Sequence, residues 1–186
     1  MNPPQPTIVI VPGLRDHVPD HWQALLAQQL PGSVTVPRMA TDKLSCANWV
    51  EQVERTLSSI AGPVILVAHS GGVMMVVHWA QQHRRPIHGA LLATPADLET
   101  PLPEGYPTLA VLQKGGWLPV PRKRLPFPSI VTASTNDPLA GCERVAQYAR
   151  DWGSRLVNIG AVGHLNPAAG FGEWPQAHEF IRELSG

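Results

Sequence analysis

The chain has 186 residues, 44% of them hydrophobic, and its 14 basic side chains balance 14 acidic ones. That length and apolar content suit one globular domain over residues 1–186, large enough to bury a substantial core. A net charge of zero argues against a nucleic-acid or anionic-membrane partner, because phosphate binding needs an electropositive face.

The N-terminus, Met1-Asn2-Pro3-Pro4-Gln5-Pro6, has neither a basic region nor a long apolar stretch, so no signal peptide is expected. Thr7 to Val11 is an apolar strand stopped by Pro12-Gly13. Asp20 is placed to cap a helix whose apolar face holds Trp22, Leu25, Leu26 and Leu30. Ser33 to Val36 forms a second short strand, and Trp49, Val50, Val53, Leu57 and Ile60 then recur at helical spacing. Gly62-Pro63 breaks that helix before a third strand over Val64 to Ala68. The helix after Ser70 carries Val73, Met74, Val76, Val77, Trp79 and Ala80, so it is apolar nearly all round and should be the most buried.

Further strands are expected at Ile87 to Ala93, Ser129 to Ala133 and Arg155 to Ile159, with helices over Leu139 to Arg150 and Trp174 to Leu184. Between the fourth and fifth strands, Thr94 to Pro128 is rich in proline, with Thr108 to Leu112 as a short strand or helical turn. Such a long irregular connection is usually functional, and its place predicts a rim over a site. Arg122-Lys123-Arg124 within it reads as a solvated loop. Apolar strands alternating with helices imply an α/β fold with three α/β/α layers. The sheet should be mostly parallel, of about six strands, with right-handed crossovers and no large cap. Cys46 and Cys142 form no CxxC pair and suggest free thiols in a reducing compartment. No apolar run reaches the roughly 18 residues of a membrane span. The expectation is a cytoplasmic protein without a membrane partner.

The feature that carries chemistry is Ala68-His69-Ser70-Gly71-Gly72, set between the third strand and the buried helix. It reads as a nucleophile elbow, a serine on a strained strand-to-helix turn flanked by small residues. Alanine stands where the usual Gly-x-Ser-x-Gly pattern has its first glycine, and a serine N-cap on a glycine-softened helix is the plainer alternative. A serine needs a base, and the base needs an orienting acid. In an open α/β sheet both should follow the carboxyl ends of later strands, in the order Ser, Asp, His. Asp137 lies just past the fifth strand in Ser134-Thr135-Asn136-Asp137-Pro138, and His164 just past the sixth in Gly163-His164-Leu165-Asn166. Asp137 as a helix cap and His164 as a loop histidine are the alternatives taken singly; Asp97 and Asp151 follow the wrong elements. The catalytic set predicted is therefore Ser70, Asp137 and His164.

Two backbone amides should hold the developing oxyanion: that of Gly71, after the nucleophile, and that of Leu14, in the loop after the first strand. Gly13, His17, His69 and Trp117 are candidates for the substrate pocket. His21 and Trp22 line the mouth or pack there, and Trp117 equally suits packing beneath the proline-rich segment. His17 and His21 are four apart, as zinc ligands often are, but Pro19 disfavours a continuous helix and no third ligand is near. No metal and no cofactor are expected.

Taken together, several segments resemble the small serine-hydrolase family of the α/β-hydrolase fold that includes retinoblastoma-binding protein nine. They are Val9-Ile10-Val11-Pro12-Gly13, Asp20-His21-Trp22, Val67-Ala68-His69-Ser70-Gly71-Gly72, Leu125-Pro126-Phe127-Pro128-Ser129, Ser134-Thr135-Asn136-Asp137-Pro138, and Gly163-His164-Leu165-Asn166 followed by Gly170-Phe171-Gly172-Glu173-Trp174-Pro175. The resemblance spans almost the whole chain. It implies a compact core without the longer family's first two strands or large cap, and hydrolysis of an ester or amide. The expected substrate is a small acyl compound cleaved through an acyl-enzyme on Ser70. A catalytically silent module that binds a protein partner is the alternative, although no residue pattern indicates one.

Overall fold

The computed structural model describes residues 4–15 and 18–186. Six strands, β1 (Thr7–Val11), β2 (Val34–Thr35), β3 (Val64–His69), β4 (Gly89–Ala93), β5 (Ser129–Ala133) and β6 (Arg155–Asn158), form one sheet in the order β2-β1-β3-β4-β5-β6. Every pairing is parallel. The helices are α1 (Trp22–Gln29), α2 (Cys46–Ser58), α3 (Gly71–Gln82), α4 (Leu109–Lys114), α5 (Cys142–Trp152) and α6 (Gln176–Ser185).

Period-two alternation divides the strands' side chains between two layers. Ile10, Ile65, Val67, Leu91, Ala93 and Ile130 face Trp22 and Leu26 of α1 and Ala177, Phe180 and Ile181 of α6. Val9, Val11, Leu66, Ala68, Leu92 and Val131 face the apolar stripes of α2, α3 and α5. Both faces of the central strands are thus covered, and β3, β4 and β5 are buried at every position for that reason, whereas the edge strands β2 and β6 are partly exposed. The expected fold is observed, an α/β-hydrolase-like sheet between helical layers. α3 is the most enclosed helix: every residue from Gly71 to Val77 is buried.

The chain leaves β1 toward one edge to make β2, then crosses back to place β3 on the other side of β1. A crevice opens where the winding reverses, at the carboxyl ends of β1 and β3, and ligands bind at such a point. The loop after β1 and the turn after β3 therefore meet.

Several boundaries differ from the sequence reading. His21, not Asp20, caps α1, its Nδ1 accepting from the Gln23 amide at 3.2 Å. α2 begins earlier, at Cys46, because Ser45 Oγ accepts from the Asn48 amide. Thr108 to Leu112 resolves as the start of α4, capped by Thr108. α5 begins at Cys142 behind Gly141 rather than at Leu139, and this frees Asp137 from the helix. Arg122 is not a solvated loop residue: it pairs with Glu99 and, at 2.9 Å, with Asp151, and lies over the Tyr148 ring.

Candidate active site

Ser70 follows β3 and caps α3 with φ 56° and ψ −123°, a strained conformation for a residue bearing a Cβ. Its amide donates to the Ala93 carbonyl at 3.1 Å, which pins the turn to the neighbouring strand. Gly72 explains why the helix can follow at once. A Cβ there would fall 2.4 Å from the Val11 carbonyl oxygen and 2.5 Å from that of Pro12. Only glycine lets α3 approach the β1 loop so closely. Ala68, the departure from the usual elbow pattern, is fully buried within β3 and pairs with Val11 and Leu92.

The three side chains singled out from the sequence converge. Ser70 Oγ lies 2.7 Å from His164 Nε2. His164 Nδ1 lies 2.9 Å from both carboxylate oxygens of Asp137. A carboxylate can only accept, so Nδ1 carries the proton and Nε2 is left to receive one from the serine. Asp137 is 1% and His164 5% exposed by side chain, so the pair is shielded from water. Asp137 Oδ1 also accepts from the Leu139 amide at 2.8 Å, which fixes the carboxylate. The competing acids face elsewhere: Asp97 is held by Arg144 Nε at 3.1 Å and Asp151 by Arg122.

The loop carrying His164 is positioned by residues that the sequence reading quoted without assigning a role. Asn136 Oδ1 accepts from the Gly163 amide at 2.7 Å and from Ser134 Oγ at 3.1 Å. Ser134 Oγ in turn accepts from the Val162 amide at 3.2 Å. The loop after β5 thereby holds the loop after β6, and acid and histidine arrive together. Gly163 adopts φ 57°, where a Cβ would also strike Ala169. On the other side, Gln23 is buried in α1, and its Nε2 donates to the carbonyls of Val11 and Val67 at 3.1 Å each. It ties β1 to β3 beside the crevice.

The two expected oxyanion amides are neighbours: a Cβ on Gly71 would lie 3.4 Å from Leu14 N and 2.9 Å from Leu14 Cγ. Gly13 packs against Ser70, and its own Cβ would meet that of Ser70 at 3.5 Å. His69 is buried behind the site. Its Nε2 donates to the His164 carbonyl at 2.9 Å, and its ring lies 4.7 Å from that of His21 and 5.0 Å from that of His164. Burial first, and then the two neighbouring imidazoles, hold its pKa well below 6.5, so it stays neutral.

A cavity of about 300 Å³ opens above Ser70, with Gly13, His21, His69 and His164 in its wall. The proline-rich segment supplies its rim through Leu98, Leu102, Gly105, Tyr106 and Pro107, as expected. Trp117 does not take part. Its side chain is fully buried, its indole N–H donates to the Leu44 carbonyl at 2.8 Å, and it packs beneath the segment. The apolar bulk of the indole is satisfied under the loop, and its polar edge by one carbonyl, so nothing draws it to the site. His17 lies outside the described residues. A second cavity, of about 390 Å³, lies against the same Pro12–Arg15 loop but does not include Ser70 or His164, so the chemistry belongs to the first. No helix among the described residues is long and apolar enough to cross a membrane.

The family model described as Serine hydrolase matches residues 8–183. A YdeN-like hydrolase from Pectobacterium atrosepticum is 32% identical, with 97% of this chain and 91% of that one covered and a TM-score of 0.83. The ydeN gene product from B. subtilis aligns at 16% identity over 96% of this chain and 98% of its own, with a TM-score of 0.76. Est1E from Butyrivibrio proteoclasticus, solved with ferulic acid bound, aligns at 13% identity over 97% and 86% of the two chains, with a TM-score of 0.69. The last two share the fold. No curated protein matches the sequence.

Proposed function

The chain belongs to the serine hydrolase family, and from that premise we propose that it cleaves a small ester or amide through an acyl-enzyme on Ser70. The observation that carries this reading is the unbroken contact from Ser70 Oγ through His164 to Asp137. In the proposed cycle Ser70 Oγ attacks the acyl carbonyl carbon while His164 Nε2 takes its proton. The carbonyl electron pair moves onto oxygen, where the amides of Gly71 and Leu14 receive it. As the carbonyl re-forms, the bond to the leaving group breaks and His164 returns its proton to that group. A water then repeats the sequence: His164 takes its proton, its oxygen adds to the acyl carbon, and Ser70 leaves with the proton. Asp137 keeps the imidazole in the tautomer the first step needs and stabilises its charged form. No step calls on a metal or cofactor, and we place the whole described chain in one functional unit acting on a small molecule.

A fluorophosphonate probe followed by mass spectrometry tests the reading. A single adduct is expected on Ser70, absent from Ser70→Ala. Turnover of an activated ester by Ser70→Ala should fall by a factor on the order of 10⁶. A folded protein that is not labelled, or an S70A variant that keeps most of its turnover, would remove the assignment.

A further inference from the structure

The lining of the cavity above Ser70 includes Leu44, Leu98, Leu102 and Leu112, and also His164, Pro167 and Ala168. Leu98 and Leu112 belong to the larger core cluster, and Leu102 and Tyr106 pack on it, so this part of the lining is an extension of the apolar core. Among the described lining residues, Arg15 is the only Lys, Arg, Asp or Glu. Its guanidinium lies 4.0 Å from the Tyr106 ring centroid and reaches the Gly105 carbonyl, so it fastens the rim instead of pointing at Ser70. Among the described residues, no carboxylate lines the cavity to receive an ammonium group.

His164 must return a proton to the leaving group, so that group sits beside His164. We infer that the acyl chain lies against the leucines of the lining, and that the pocket selects a neutral, medium-length apolar acyl group in preference to acetyl or to a charged amino-acyl group. The inference rests on the hydrolytic reading of Ser70. At about 30 Å³ for each heavy atom, close to the share of one water in the liquid, a 300 Å³ cavity takes roughly ten. Once the carbonyl oxygen and the first leaving-group atom are counted, that matches acyl chains of about six to eight carbons.

The test is kcat/KM across p-nitrophenyl esters from acetate to laurate, with fluorophosphonate labelling of Ser70 read in parallel. Each added methylene buried against these leucines should raise kcat/KM about fourfold until the pocket fills. The maximum is expected between hexanoate and octanoate, and laurate should fall below it. Leu102→Trp should reduce the octanoate-to-acetate ratio of kcat/KM about tenfold or more, and Leu44→Trp is the second variant if the first does not fold. Ala168→Trp should discriminate against bulky alcohols and leave the rank order of acyl chains in place. A maximum at acetate, or an amino-acyl ester outrunning its neutral counterpart of equal length, overturns the acyl assignment while labelled Ser70 upholds the hydrolytic reading. Silence toward both the probe and every ester overturns both.

Discussion

His69 shows how one buried side chain serves the site without touching substrate chemistry. It sits one residue before the proposed nucleophile, yet its ring is turned into the molecule, and its Nε2–H holds the carbonyl of His164. Burial keeps the ring neutral although the bond to the His164 carbonyl favours the charged form. The same burial has a consequence for stability. The unfolded chain protonates this histidine near its ordinary value of 6.5, whereas the folded chain does not until lower pH. The unfolded state therefore binds more protons below 6.5, and the contribution present above that pH is lost as pH falls. His78, also pushed below 6.5 by burial, adds in the same direction. Urea unfolding between pH 7.5 and 5 should show stability declining below about 6.5, with a slope approaching about 1.4 kcal/mol per pH unit for each histidine. His69→Gln, which keeps a side-chain N–H donor, should flatten that slope; an unchanged slope would mean that His69 titrates normally in the folded protein.

Between elements, the site is held by side chains that cross from one loop or helix to the next. Gln23 on α1 satisfies the Val11 and Val67 carbonyls, which lie near the ends of the two strands flanking the crevice. Asn136 and Ser134 bind the amides of the histidine loop. A lost partner leaves a buried carbonyl with the cost of its desolvation, about 1–3 kcal/mol. Gln23→Leu keeps the volume and removes both donors. It should lower the unfolding free energy by about 2 kcal/mol, read from the urea midpoint at constant m-value. Stability within 0.5 kcal/mol of the parent, about the scatter of a surface change, would show that the carbonyls find other partners.

Over the whole molecule, the long connection between β4 and β5 lacks a layer of its own and is fastened to α5 by charge. Asp97 and Glu99 at its start receive Arg144, while Arg122 further along reaches Glu99 and Asp151 and covers the Tyr148 ring. Asp97 is nearly buried, with 6% of its side chain exposed, and Arg144 Nε donates to it at 3.1 Å. Arg144→Met keeps much of the packing and removes the cation. It should destabilise the fold by about 1.5–3 kcal/mol, measured by urea unfolding. It should also raise KM more than it lowers kcat, since the segment walls the cavity while Ser70 and His164 lie on other loops. An equal fall in kcat would indicate that the segment also positions the reacting groups.

Residue order alone carries the alternation of apolar strands and helices, and with it a parallel sheet covered on both faces. It also carries the sequence Ser70, Asp137, His164, each just past a strand end. These are local signals: period, punctuation and spacing are set by neighbouring residues, and a parallel sheet brings its carboxyl ends to one edge wherever the strands lie. What those residues meet is set by the folded chain. Trp117 has the same indole whether it lines a pocket or fills the space under a loop, and the Leu44 carbonyl that fixes it is 73 residues away. Gln23 reads as one more polar residue on a helix until two strand ends converge on it. The leucines of the cavity lining, Leu44, Leu98, Leu102 and Leu112, come from two separate segments that share no periodicity. Burial and partnership between distant residues depend on how the layers close over one another, and no local pattern in the chain encodes that directly.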